Sequence, residues 1–266
     1  MEYLHQSMID IPDLVELAKR AALQAGKAIL EIYASSDFGV KIKEDLSPLT
    51  SADTAGHVII TLLLKNTGLP ILSEEGSDMP YKNRKSWDCF WLVDPLDGTK
   101  EFIKRSGEFT VNIALVRHNT PVAGVIYAPC LDVLYYGSKE TGVYKTEKGE
   151  AIQLPAIFKK RTFKELQQKE QVTVVASKSH MNQETAAFIN QFRNAQLTSM
   201  GSSFKLMLLA EGVADIYPRL APTMEWDTAA GHALLRALNR GVYQTDLQTE
   251  LLYNKEELMN PSFVAF

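Results

Sequence analysis

The sequence predicts a mixed α/β protein built from two halves, residues 1–155 and 156–266. Apolar residues recur at spacings of three and four in two early stretches, the period of amphipathic helices, and short apolar runs punctuated by turn residues follow up to residue 136. Beyond residue 171, strand-like and helix-like patterns alternate. At 266 residues the chain can bury a substantial core without disulfide staples.

In chain order, Leu14, Leu17, Ala18, Ala21, Ala25, Ala28, Ile29 and Ile32 mark a helix over residues 14–33, with Pro12 where a first helical turn tolerates it. A polar stretch over 41–48 leads into Thr50-Ser51-Ala52-Asp53 and a second helical pattern at Ala55, Val58, Ile59, Leu62 and Leu63, so Asp53 falls in that helix's first turn. Gly68-Leu69-Pro70 breaks the helix, and Ile71-Leu72 reads as a short strand running into Ser73-Glu74-Glu75. Residues 89–93 are apolar throughout, which predicts a strand buried on both faces that stops at Asp94-Pro95. Residues 109–116 and 121–127 flank His118-Asn119-Thr120 as a hairpin, and 131–136 adds the third strand of an antiparallel meander. Charged residues crowd 159–170, and the two halves are expected to join near Pro155 to Gln171. After the junction come a strand over 172–176, helices over 182–192 and 203–211, a strand over 213–217 and a helix over 226–238, with no internal repeat.

Apolar residues make up 45% of the chain and charged residues 23%, an ordinary globular composition that excludes collagen-like and disordered readings. Lys and Arg number 28 against 32 Asp and Glu, a net charge of −4 that argues against nucleic acid as a partner and against a polybasic membrane anchor. Small anionic ligands stay compatible with that balance. With Cys89 and Cys130 as its only cysteines, the chain lacks a disulfide framework and a cysteine-based zinc site, and a reducing cytoplasm fits. Met1-Glu2-Tyr3-Leu4-His5 has an acid where a signal peptide carries basic residues, and no apolar run approaches the roughly eighteen residues of a membrane span. The expectation is a soluble, cytoplasmic protein with no transmembrane segment, at most peripheral on the inner face of a membrane.

The strongest local feature is Asp94-Pro95-Leu96-Asp97-Gly98-Thr99, with paired carboxylates at the end of a buried strand. A Pro-fixed turn there can aim both carboxylates and the Leu96 carbonyl at one point, the oxygen-only environment that a hard cation such as Mg²⁺ takes. Gly98 lets the backbone approach a ligand closely, and the helix that opens at Thr99 favours an anion at its start. An Asp-Pro turn followed by a helix cap explains the same residues without any ligand. Glu74-Glu75 ends the neighbouring strand and would face Asp94 if the two strands pair, although a solvated acidic pair reads the same way. Asp227 and Asp53 each sit at a helix start, where the helix dipole alone accounts for a carboxylate. The repetition carries the argument: separate strands and helices each end or begin on an acid.

Other chemistries lack their spacing. No two glycines stand two residues apart, which removes G-x-G-x-x-G, and neither G-x-x-x-x-G-K nor G-x-S-x-G occurs. The five histidines are scattered, so a zinc helix of the H-E-x-x-H kind is out. A haloacid-dehalogenase-type phosphatase, with a nucleophilic Asp in an Asp-x-Asp-Gly-Thr turn, competes, but here Pro95 and Leu96 separate the acids where that motif has one residue.

Glu74-Glu75, Asp94-Pro95-Leu96-Asp97-Gly98-Thr99 and Trp226-Asp227-Thr228-Ala229-Ala230-Gly231 resemble, in order and approximate spacing, the motifs of the lithium-sensitive, magnesium-dependent phosphatases of the inositol monophosphatase superfamily. Within it the chain is most similar to the 3′(2′),5′-bisphosphate nucleotidases, from about Asp13 onward, through Asp45-Leu46-Ser47-Pro48-Leu49-Thr50, Lys100-Glu101-Phe102-Ile103-Lys104-Arg105, Gly107-Glu108-Phe109-Thr110-Val111-Asn112 and Gly201-Ser202-Ser203-Phe204-Lys205. Leu49 departs from the Val more usual in that segment. The resemblance implies a layered α-β-α-β-α sandwich with two or three Mg²⁺ ions between the halves. It implies Glu74, Asp94, the Leu96 carbonyl, Asp97 and Asp227 as metal ligands, and Thr99 with Asp53 as the pair that orients and helps deprotonate an attacking water. His180, Ser202, Lys205 and Arg219 would contact the nucleotide, beside Gly98 and the metal ligands. The implied reaction converts adenosine 3′,5′-bisphosphate to AMP and phosphate in sulfate assimilation, with 3′-phosphoadenylyl sulfate as a second substrate. An inositol-phosphate or sugar-phosphate phosphatase would share every metal ligand, and a non-catalytic metal-binding regulator would need no water-activating pair.

Overall fold

The computed structural model describes residues 10–43, 47–76, 79–157, 161–176 and 182–266. Helices α1 (Ile11–Tyr33) and α2 (Ser51–Leu64) flank a two-stranded hairpin of β1 (Lys41–Ile42) and β2 (Pro48–Leu49). There follow β3 (Ile71–Ser73), the short helix α3 (Tyr81–Arg84), β4 (Cys89–Asp97) and the single turn of α4 (Thr99–Ile103). An antiparallel run then comprises β5 (Thr110–Arg117), β6 (Thr120–Ala128), β7 (Val133–Ser138), β8 (Gly142–Glu147) and β9 (Glu150–Leu154). The remaining elements are α5 (Phe163–Gln167), β10 (Val172–Val175), α6 (Gln183–Ile189), β11 (Ala195–Thr198), α7 (Phe204–Ala210), β12 (Tyr217–Arg219), α8 (Glu225–Ala237), β13 (Val242–Gln244) and β14 (Phe263–Ala265).

Strands β3 to β9 form one seven-stranded sheet in sequence order, parallel at β3–β4 and antiparallel elsewhere. Its two faces follow from the period of two along each strand. Trp91 and Val93 on β4 and Val111, Ile113 and Leu115 on β5 pack with α1 and α2, whereas Phe90, Leu92, Ala114 and Val116 pack with α7 and α8. On the far side of α7 and α8 lie the β12-β14-β13 sheet and the β10–β11 pair, bridged at Val174 and Ile216. Their outer face packs through Val172, Val174 and Ile216 on Leu166 of α5 and Ile189 of α6. The result is an α-β-α-β-α stack. Helix α8 lies across β4, β5 and β6, so close that a Cβ at Gly124 of β6 would stand 2.3 Å from the Ala230 carbonyl oxygen. Residues 156–266 therefore cover one face of the sheet that residues 1–155 build.

Several element limits differ from the sequence reading. The meander has two further strands, β8, largely half-buried, and β9, exposed except at Leu154, and neither carries a marked apolar run. The strand expected over 131–136 begins at Val133, after a turn in which Asp132 takes a φ of 50°. The strand expected over 213–217 begins at Tyr217, because Val213, just past the end of α7, is exposed and unpaired with any strand. Strand β4 does not stop at Asp94 but continues to Asp97. Among the described residues no helix is long and apolar enough to cross a membrane, and both cysteines are free.

Candidate active site

The continuation of β4 builds the site. Asp94 pairs with Asn112 of β5, and Asp97 with Thr110, so β4 advances three residues while β5 advances two. In a regular strand residues three apart point to opposite faces, but one extra residue in a β-bulge returns both carboxylates to the same side. Pro95 is tolerated there because a bulge frees its position from ladder donation. The Leu96 N–H donates to Asp94 Oδ1 at 3.0 Å, which fixes the turn locally. Gly98 then turns with a φ of 98°, and a Cβ there would lie 3.1 Å from the Glu108 carbonyl oxygen.

Asp227 enters from the other side, in the first turn of α8, where it accepts the Met224 N–H at 2.9 Å. Ligand-capable oxygens of Asp94, Asp97 and Asp227 all lie within 4.8 Å of one another. Asp53, in the first turn of α2, accepts the Thr50 N–H at 2.7 Å and the Thr50 hydroxyl at 2.6 Å on one oxygen, and the Thr99 hydroxyl at 3.0 Å on the other. The Thr99 hydroxyl also lies 3.3 Å from the Leu96 carbonyl. Both helix-start carboxylates therefore cap their helices; Asp227 also lines the cleft, and buried Asp53 touches it through Thr99.

Glu74 follows β3, which pairs parallel with β4 through Ser73 and Val93, so it stands beside Asp94 as the strand pairing requires. It lies outside the three-carboxylate group. Lys43 holds it at 2.9 Å and Glu75 at 2.6 Å, a neutralising contact that the polar stretch over 41–48 did not announce because nothing in its pattern names a partner.

Burial, reinforced by like-charge crowding, sets the electrostatics. Burial, then Glu74, Asp97, Asp227 and Asp53, push Asp94 well above the usual carboxylate range. Burial and Asp97 do the same to Asp227. Burial raises Asp97 less freely, because Lys205 and the Ser203 N–H favour its ionised form. Burial also raises Glu74 against the pull of Lys43, and Asp53 against its Thr50 hydrogen bonds. Like charges held together in this way are an unpaid electrostatic cost that a bound cation offsets.

Glu74, Asp94, Asp97 and Asp227 line an open cleft of about 860 Å³ that also includes Lys43, Leu96, Gly98 and Thr99. A second pocket shares Asp97, Gly98 and Asp227 with it and continues past Ser202, Lys205, Tyr217 and Arg219. Lys205 is 8% exposed, and its ammonium donates to the carbonyls of Met200 at 3.0 Å and Ser202 at 2.7 Å. Arg219 donates from Nη2 to the Pro222 carbonyl at 3.2 Å, and its buried Nε has no partner among the described residues. His180 lies outside the described residues, as do Asp45 and Leu46 of the segment before α2. All the other expected site residues line these two pockets or touch a residue that does.

The whole chain carries the likeness that its motifs announce. The profile of the Inositol monophosphatase family matches residues 10–263. The 3′(2′),5′-bisphosphate nucleotidase CysQ of Salmonella typhimurium is 42% identical over 254 residues, which cover 94% of this chain and 98% of that protein. The crystal structure of CysQ from Bacteroides thetaiotaomicron, a bacterial member of the inositol monophosphatase family, is 46% identical and superposes with a TM-score of 0.82 over 95% of this chain and 96% of that one. Inositol monophosphatase from Anabaena superposes with a TM-score of 0.70 over 97% and 91% of the two chains, and at 22% identity it speaks for the fold alone. With a matching profile over nearly its full length, the same layered fold and the family's acidic motifs gathered at one cleft, the chain belongs to the inositol monophosphatase family.

Proposed function

We propose that the protein is a Mg²⁺-dependent 3′(2′),5′-bisphosphate nucleotidase that converts adenosine 3′,5′-bisphosphate to AMP and phosphate, accepts 3′-phosphoadenylyl sulfate as a second substrate, and serves sulfate assimilation in the cytoplasm. The observation that carries the reading is the pairing of unlike surfaces across one continuous cleft. Facing the carboxylate trio, Lys205 and Arg219 form no ion pair with any described carboxylate, and both line the pocket that Asp97 and Asp227 share. A substrate with one phosphate for cations and a second for basic side chains fits both surfaces. A singly phosphorylated neutral ring uses only the first. The relatives named CysQ support the same substrate.

The donor set suits the cofactor, since Asp94, Asp97 and Asp227 offer oxygen ligands alone and their mutual repulsion is relieved by positive charge. Those three, with Glu74 and the Leu96 carbonyl, would hold two or three Mg²⁺ ions. When bound, the cations lower the pKa of water and offset charge on the transferring phosphoryl group. The chain's own part is proton handling and positioning. The Thr99 hydroxyl donates to Asp53, which turns its lone pairs outward as an acceptor for a proton from the attacking water. Burial raises the proton affinity of Asp53 and so makes it a better final acceptor. Lys205 and Arg219, with Ser202 and His180, would hold the nucleotide.

The test is Arg219→Ala, read as the ratio of kcat/KM on adenosine 3′,5′-bisphosphate to that on inositol 1-phosphate. Loss of one charge-assisted contact is worth about 1.5 to 3 kcal/mol, so the ratio should fall about tenfold to a hundredfold. An unchanged ratio would move the inositol-phosphate or sugar-phosphate reading ahead.

A further inference from the structure

The segment Phe109-Thr110-Val111-Asn112 has no part in the chemistry described so far, yet it sits between the metal carboxylates and the nucleotide loop. The β4–β5 register puts Thr110 opposite Asp97 and Asn112 opposite Asp94. On the other side, residues 200–203 approach so closely that a Cβ at Gly201 would stand 2.7 Å from the Glu108 carbonyl oxygen. Ser202 is held with a φ of 47°, a left-handed conformation that a non-glycine residue adopts at a cost.

Two sets of contacts keep that loop in place. From the pocket side, the Lys205 ammonium bonds the carbonyls of Met200 and Ser202. From the sheet side, the Ser203 hydroxyl donates to Asn112 Oδ1 at 2.8 Å and lies 2.8 Å from the Thr110 hydroxyl, which is 3.0 Å from the same Asn112 oxygen and 3.3 Å from the Ser202 hydroxyl. Thr110 and Asn112 are each 1% exposed and Ser203 is 5% exposed, so water does not compete for these bonds. The Ser203 N–H closes the chain by donating to Asp97 Oδ2 at 2.5 Å. Asn112 Nδ2 makes no other hydrogen bond among the described residues and favours the ionised form of Asp97, so the relay touches that acid from the sheet side as well.

We propose that Thr110, Asn112 and Ser203 form a buried hydrogen-bond relay that positions Asp97 and couples occupation of the nucleotide pocket to cation affinity. The proposal rests on the nucleotidase reading for its ligand. A nucleotide that engages Lys205 or Ser202 pulls on the loop, and the Ser203 hydroxyl, anchored to Thr110 and Asn112, sets where the Ser203 N–H meets Asp97. By reciprocity, a cation that orders Asp97 also orders the loop for the nucleotide.

The experiment measures Mn²⁺ binding by the EPR signal of the free ion, with and without AMP, which carries no scissile phosphate for a cation to bridge. In the parent protein AMP should tighten Mn²⁺ binding by about fivefold or more. Thr110→Val and Ser203→Ala remove the hydroxyls but keep the backbone N–H to Asp97, and each should reduce that factor below about twofold while AMP still binds and Tm holds within a few degrees. Thr110→Ser, which restores the hydroxyl, should restore the coupling. An undiminished factor in both variants overturns the relay. AMP binding by the parent protein with no effect on Mn²⁺ also overturns it and leaves the nucleotidase reading standing. No AMP binding by the parent protein removes both.

Discussion

Replacing Asp97 by Asn keeps the shape of the β4 bulge and removes one charge from the carboxylate trio. The Ser203 N–H keeps an acceptor, because the Asn side-chain oxygen can take the place of Oδ2. Two ionised carboxylates at the 4.8 Å limit of the trio repel by about 3.5 kcal/mol at an effective dielectric constant of 20. Part of that repulsion is already relieved by proton uptake at Asp94 and Asp227, and Lys205 loses a favourable neighbour in the variant. A net gain of about 1 to 2 kcal/mol in the metal-free protein remains, or roughly 2 to 6 °C in Tm for a chain of this size. Turnover should move the other way, falling at least about a hundredfold, the effect of losing one group that stabilises transition-state charge. Thermal melts in EDTA and in excess Mg²⁺, beside a phosphate-release assay, read both effects. The rise in Tm that Mg²⁺ brings to the parent protein should shrink in the variant. A lower Tm in EDTA together with an unchanged response to Mg²⁺ would refute the view that Asp97 is a repulsive metal ligand.

The same crowding sets the pH dependence. Asp94, Asp97, Asp227, Glu74 and Asp53 all have raised pKa values, so at this cluster the folded chain binds more protons than the unfolded one, and its contribution to metal-free stability falls as pH rises above the ordinary carboxylate range, against a smaller opposite slope from the lowered His57. In EDTA, Tm should be higher near about pH 5.5 than near about pH 7.5, and excess Mg²⁺ should narrow that difference, whereas a Tm that climbs with pH in EDTA would contradict the assignment. Gly124→Ala forces a Cβ to within 2.3 Å of the Ala230 carbonyl oxygen, where backbone meets backbone and neither side can yield cheaply. It should lower the stability from urea unfolding by about 3 kcal/mol or more, and a loss below about 1 kcal/mol would show that α8 is not locked against β6.

How much of this was legible in the sequence depends on the range of the interactions. Helices α1 and α2 and the β5–β6 hairpin are written in local periodicity. Strands β8 and β9 are not, because Glu150, Ala151, Ile152 and Gln153 are exposed and pair only at the sheet edge. Pro95 reads as a stop because proline cannot donate to a ladder, and only the register against Asn112 and Thr110 reveals a bulge instead. Asp94, Asp97 and Asp227 stood out because each lies at the end of an apolar or helical run. Lys43 and the Thr110, Asn112 and Ser203 relay did not, since their partners are remote in sequence: Ser203 meets Asn112 across 91 residues. Thr110 and Asn112 belong to a segment whose likeness to the family was visible, but a likeness assigns no contact. Asp53 and Asp227 were open to a capping explanation, and the structure shows that each serves its cap while Asp227 lines the cleft and Asp53 bonds Thr99, which lines it.

The central claim is that one cleft joins a cation-binding acidic surface to a basic surface that reads a second phosphate. Phosphate release from adenosine 3′,5′-bisphosphate and from inositol 1-phosphate, each with Mg²⁺ and with EDTA, tests it most directly. Rapid release from the bisphosphate in Mg²⁺, at least about tenfold above inositol 1-phosphate in kcat/KM and abolished by EDTA, is the expected result, from the contact that Arg219 adds. Equal efficiency on the two substrates, or full activity in EDTA, would contradict it.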